Sequence, residues 1–141
     1  MPFRTLEDIT MADVAFEVIG KDLNELFTDS AIATFSEMVD IFAISPNIKS
    51  EINIEAETLD DLLFKWLEHL IYLKDADTMW FCKFEVYITK NSKYELKAYA
   101  FGEKIVSDPK KMRTDVKAIT RHLFSIQHFQ KGWKATFVLD I

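Results

Sequence analysis

The chain is 141 residues long, 49% hydrophobic and 13% aromatic, which is enough apolar material for one packed core, so a single domain over residues 1–141 is expected. Seventeen basic against 23 acidic residues leave a formal net charge of -6, which opposes tight, unspecific binding to a polyanion such as RNA or an acidic membrane surface while leaving room for a local basic patch. One cysteine cannot make an internal disulfide, and three glycines with three prolines leave no material for a flexible linker.

The opening Met1 to Asp8 lacks the basic-then-apolar order of a signal peptide. No apolar run approaches the roughly 20 residues that span a bilayer, so the expected setting is the cytoplasm, with no membrane partner. Val14, Phe16 and Val18 then alternate with Ala15, Glu17 and Ile19 up to Gly20, which predicts a strand. A helix follows. Asp22 can cap it with Glu25 three positions on, and Leu23, Leu26, Phe27, Ala31, Thr34, Phe35, Met38, Ile41 and Phe42 predict one apolar stripe ending before Ser45-Pro46-Asn47.

Ile48, Ile52, Ile54 and Ala56 alternate with polar neighbours, so 48–57 is expected to be a half-exposed strand. Thr58 with Asp61 resembles a capping box, and Leu59, Leu62, Leu63, Trp66, Leu67, Leu70 and Ile71 form the apolar face of a second helix. From Met79 the period is two: 79–89, 94–101, 116–128 and 133–140 read as strands, with turns at Asn91-Ser92 and Gln130-Lys131-Gly132. The fold class is therefore α+β, two helices packed on a mixed, mostly antiparallel β-sheet.

Catalytic signatures are missing: there is no glycine-rich phosphate loop, no cysteine pair at metal spacing, no His-Glu-x-x-His and no Gly-x-Ser-x-Gly. Cys82, between Phe81 and Phe84, reads as a buried small hydrophobe. His69 falls on the second helix as an exposed or hydrogen-bonded side chain. His122 and His128, in phase with Val116, Ala118, Phe124 and Ile126, are expected to be partly buried structural groups. The run Ser107 to Thr114 gathers Lys110, Lys111 and Arg113 in a loop, with Lys117 and Arg121 nearby; solvated surface is the ordinary reading, and an electropositive contact for phosphate or an acidic partner the alternative.

Two acidic positions stand apart. Asp13 precedes the first strong strand, and Asp140, opposite in phase to Phe137 and Leu139, ends the last. The carboxylate of Ile141 beside the Asp140 side chain pairs like charges, a cost that a cation or a positive side chain would offset. A third carboxylate would complete an oxygen-rich site for a hard divalent ion such as calcium, whereas a solvated chain end is the ordinary reading of the spacing.

Longer strings carry a resemblance. Ala12-Asp13-Val14 with Gly20, Leu23, Glu25-Leu26-Phe27 and Ala31, the string Val116 to His122, Gly132-Trp133-Lys134-Ala135 and the final Val138-Leu139-Asp140-Ile141 resemble the archease family from about residue 3 onward. Two departures stand out: Asp8-Ile9-Thr10-Met11-Ala12-Asp13 lacks the family's usual histidine, with Met11 between Thr10 and Ala12, and Arg121 replaces the usual tyrosine.

The resemblance implies an archease-like domain that is no enzyme itself. It would be an accessory factor that binds a divalent cation, Ca2+ in relatives, through Asp13, Asp140 and Ile141. It would act on a tRNA-splicing RNA ligase of the RtcB type, promoting guanylylation and multiple turnover. No residue is assigned a catalytic role, Lys117 is the candidate contact to ligase or nucleotide, and direct tRNA binding is left open. The rival readings are a general chaperone or binding module and a metal-dependent hydrolase using Asp13 and Asp140.

Overall fold

The computed structural model describes residues 3–6 and 13–141. Its strands are β1 (Phe3–Leu6), β2 (Asp13–Gly20), β3 (Ile48–Ala56), β4 (Met79–Lys90), β5 (Tyr94–Lys104), β6 (Ala118–Phe129) and β7 (Gly132–Asp140). Its helices are α1 (Leu23–Met38) and α2 (Leu59–Ala76).

The helices start where the sequence places their caps. The Asp22 carboxylate accepts the Glu25 N–H at 2.8 Å, and Glu25 in turn takes the Lys21 N–H at 3.2 Å. Thr58 Oγ1 accepts the Asp61 N–H at 3.2 Å and opens α2. The end of α1 differs from the expected stripe through Phe42. Helical bonding stops with Val39 N–H on the Phe35 carbonyl, and Val39 then pairs with Met112 while the Asp40 N–H bonds to the Lys111 carbonyl at 2.8 Å. A short 3-10 turn at Ile41–Ala43, capped by Asp40, follows and leaves Phe42 87% exposed rather than on a buried face.

Every strand pairing is antiparallel, and the strands form two sheets rather than one mixed sheet: β1-β2-β7-β6 and β3-β5-β4. β1 is an addition to the expected elements; four residues are too few for a period to show. α1 lies between the sheets, against β4 on one side and β2 and β7 on the other, while α2 packs on β6, β3 and α1. That position explains why α1 buries Leu26, Phe27, Ala31, Ala33, Phe35 and Met38 around more than one face.

Aromatic rings join the layers. Phe35 of α1 meets Phe81 of β4 edge-on at 5.5 Å, and Phe16 of β2 meets Phe137 of β7 at 5.7 Å. The fully buried Trp66 of α2 donates its indole N–H to the Phe27 carbonyl of α1 at 3.0 Å, which locks the helices in register. Cys82 sits where the β4 register shifts between Phe81 and Lys83. Burial pushes its thiol pKa up, so it stays a packing residue.

Candidate functional site

In β2, Val14, Phe16 and Val18 enter the core, so alternation turns Asp13, Ala15, Glu17 and Ile19 to the face away from the helices. β7 runs antiparallel to β2 with Asp13 directly opposite Asp140, and β6 adds Ala118 on the far side of Asp140. The two partly buried carboxylates therefore occupy one cross-strand pair. The next row on that face is Ala15 opposite Val138, both inaccessible to solvent, so the acids border an apolar patch.

The partly buried Ile141 side chain packs against the core, and the Lys117 N–H donates to the Asp140 carbonyl at 2.8 Å. The structure thus brings Asp13, Asp140 and the Lys117 backbone to one end of the four-stranded sheet. The Lys117 side chain is exposed; the residue borders a groove with Glu68, Tyr72 and Asp75 of α2. Among the described residues no three His, Cys, Asp or Glu side chains are grouped to hold a metal. Two opposed carboxylates suit a hard, oxygen-seeking cation rather than a soft one. The motif residues Asp8 to Ala12 lie outside the described residues.

Sequence periodicity misplaced the histidines. Between Thr120 and Ser125 the β6 register slips past β7, and Leu123 takes a positive φ of 56° within this bulge. Phase is lost there for His122, which is exposed; His128 shares the face of Ile126 but is exposed near the end of the β6–β7 hairpin, where it stacks on Trp133 at 4.3 Å. His69 stacks on Tyr72 at 6.0 Å, in keeping with its place on the helix. Arg121, on the α2 side, lies over the Phe64 ring at 3.8 Å and bonds Asp61 at 3.0 Å, a packing role for the residue that departs from the family pattern.

The basic loop is docked. Arg113 donates to the Ser36 carbonyl at 3.0 Å, Lys111 lies 3.6 Å from Glu103, and Met112 bridges Val39, so these residues fasten the loop to the end of α1. Of the three basic side chains Lys110 and Arg113 remain exposed, as the ordinary reading had it, and Lys111 is partly buried.

Lys74 escaped the sequence reading. It is 4% exposed and bonds Asp115 at 2.7 Å, Asp75 at 2.9 Å and the Val116 carbonyl at 2.8 Å. Burial pulls its pKa down, but hydrogen bonds and the charges of Asp115 and Asp75 outweigh that, and the net shift is upward. The ammonium thereby holds the segment that delivers Lys117 to Asp140. The signal was available: Lys74 follows Leu70 and Ile71 on the buried stripe of α2.

Comparison with known proteins bears on the family and the fold. The model of the archease protein family matches residues 3–141. The chain belongs to the archease family. Proteins named archease from Sulfurisphaera tokodaii and Pyrococcus abyssi are 35% and 37% identical over 130 and 132 residues, in each case 92% of this chain and 93% of the relative. The solution structure of protein 1598 from Methanobacterium thermoautotrophicum is similar with a TM-score of 0.86 at 32% identity, over 99% of both chains. An archease from Thermotoga maritima, described as a possible chaperone, has a TM-score of 0.64 at 20% identity over 98% of both chains, and so shares the fold. Among the described residues no helix is long and apolar enough to cross a membrane.

Proposed function

We propose that this archease-family chain is a non-catalytic activator of an RtcB-type tRNA-splicing RNA ligase in the cytoplasm, promoting guanylylation of the ligase and its multiple turnover. The observation that carries the reading is the cross-strand opposition of Asp13 and Asp140, the acidic residues that the resemblance of the sequence strings makes candidate cation ligands. Asp13, Asp140 and the Ile141 carboxylate would hold Ca2+ or a similar cation, whose charge offsets the repulsion of the opposed acids. Asp13 begins β2 and Asp140 ends β7, so a bound cation ties the two strands at that end; the Lys117 side chain would contact ligase or nucleotide from the α2 side.

The test is a ligation assay with the purified cognate ligase at limiting concentration, GTP and a divalent metal. The chain is expected to raise both covalent guanylylate on the ligase and the number of ligations per ligase, and to show neither activity alone. Equal yields with and without it would end the proposal. Turnover of phosphoesters by the chain alone, lost in Asp13→Asn, would instead make it a metal-dependent hydrolase.

A further inference from the structure

The four sheet edges are closed to different degrees. β1 is only four residues long, and β6 carries the large bulge after Thr120. β4 is broken in register at Phe81, and its outward Ile88 N–H is taken by Asn24 Oδ1 at 3.0 Å. Shortness, bulges and covering side chains are what keep sheet edges from joining one another. β3 is different. It has nine residues without proline, in unbroken register with β5 from Ile48 to Ala56.

The phase of this edge follows from two hydrogen bonds. Since Ile88 turns its N–H away from β5, Tyr87 and Thr89 bond to Lys97 and Glu95, which leaves Leu96 and Ala98 bonding to Ile54 and Ile52. Lys49, Glu51, Asn53 and Glu55 therefore turn their backbone groups outward, and the Glu55 carbonyl indeed accepts from Lys65 Nζ at 3.0 Å.

We propose that β3 pairs with the β3 of a second copy of this chain, antiparallel, about a two-fold axis through Ile52 normal to the sheet. This places Ile52 against Ile52, Glu51 against Asn53, Lys49 against Glu55 and Ile48 against Ala56, and the four outward residues complete one ladder. The charges select this register. Moving the axis to Glu51 sets that carboxylate against itself, moving it to Asn53 sets Glu51 against Glu55, and larger shifts shorten the ladder. Ile48, 40% exposed in the single chain, is covered by the partner. Lys65 leaves the Glu55 carbonyl, and the Glu55 carboxylate, now 3.1 Å from Lys93, gains the partner's Lys49 as a second cation.

Sedimentation equilibrium over about a hundredfold range of protein concentration tests this, because mass action makes a weak dimer concentration-dependent. The unaltered chain is expected to pass from monomer to dimer. Lys49→Glu and Glu55→Lys should each weaken the dimer about tenfold or more, and mixing the two variants should restore it as a heterodimer, since each then supplies the charge the other lacks. Asn53→Pro removes an outward N–H without touching the β5 ladder and should give a monomer with an unchanged circular dichroism spectrum. A chain that stays monomeric throughout, or a dimer indifferent to these changes, overturns the proposal.

Discussion

Both sheets set two carboxylates directly opposite one another, and they treat the pair differently. In the three-stranded sheet Glu55 faces Glu95 on an open surface, with Lys93 beside Glu55 and further pairs of Lys97 with Glu51 and Lys83 with Glu85. Interspersed lysines make that face a solvated mosaic of screened pairs. In the four-stranded sheet Asp13 faces Asp140 next to the sealed Ala15 and Val138 row. The same local motif is therefore ordinary surface in one sheet and a candidate ligand site in the other. What separates them, beyond a glutamate pair against an aspartate pair, is burial and neighbours.

The largest effect should come from the regular sheet. A Cβ added at Gly102 would run into the Trp80 carbonyl and the Phe81 Cα where β4 bulges, and backbone cannot yield as a side-chain tip can. Gly102→Ala should cost about 3 kcal/mol in urea unfolding; a loss below about 1 kcal/mol would show that the bulge adapts.

The two acidic pairs can then be separated by calcium. At a concentration about a hundredfold above its dissociation constant the ion should stabilise the chain by about 2.7 kcal/mol, read as a rise in melting temperature. Asp13→Asn and Asp140→Asn should remove most of that rise and Glu55→Gln none of it. Equal responses from all three variants would erase the distinction between the sheets.

A smaller effect lies in the helix between them. Burial, with Glu25 adding to it, raises the Asp29 carboxyl from 3.8 to about 6. Its folded form thus binds the proton more tightly than the unfolded chain, so this group's contribution to stability falls as pH rises from about 4 to about 6 and stays lower above. Asp29→Asn should gain about 1 kcal/mol at pH 7, a figure discounted because the side chain is partly solvated, and nothing near pH 4. A gain that is the same at both pH values would rule out the carboxyl's titration as its source.

Much of this was legible in the sequence, for local reasons. The caps at Asp22 and Thr58 and the period of two in β2, β4 and β5 are written in neighbouring residues and appear as read. Asp13 and Asp140 could be singled out because each sits at a strand end, in phase away from core neighbours. What stayed hidden depends on contacts between distant segments. Ile41 and Phe42 continue the helical pattern, yet Lys111 and Met112 capture the chain at Asp40 and Val39 and end the helix first. The bulge in β6 has no signature in the run Arg121 to Phe124, and it breaks the phase between His122 and Ile126; His128 keeps the face of Ile126 and is exposed because it lies near the end of the β6–β7 hairpin. The split into two sheets is likewise a matter of which strands meet across the whole chain.

The pairing of β2 with β7 also fixes when the acidic row can exist. Hairpins such as β4–β5 close short loops and can form while the chain is still being synthesised, whereas the β2–β7 ladder must bring together segments that nearly the whole sequence separates. A nascent or truncated chain that has not reached β7 can present the helices and the three-stranded sheet but never the opposed pair of carboxylates. Whatever recognises that pair thereby meets only chains in which β7 has been made and has closed on β2.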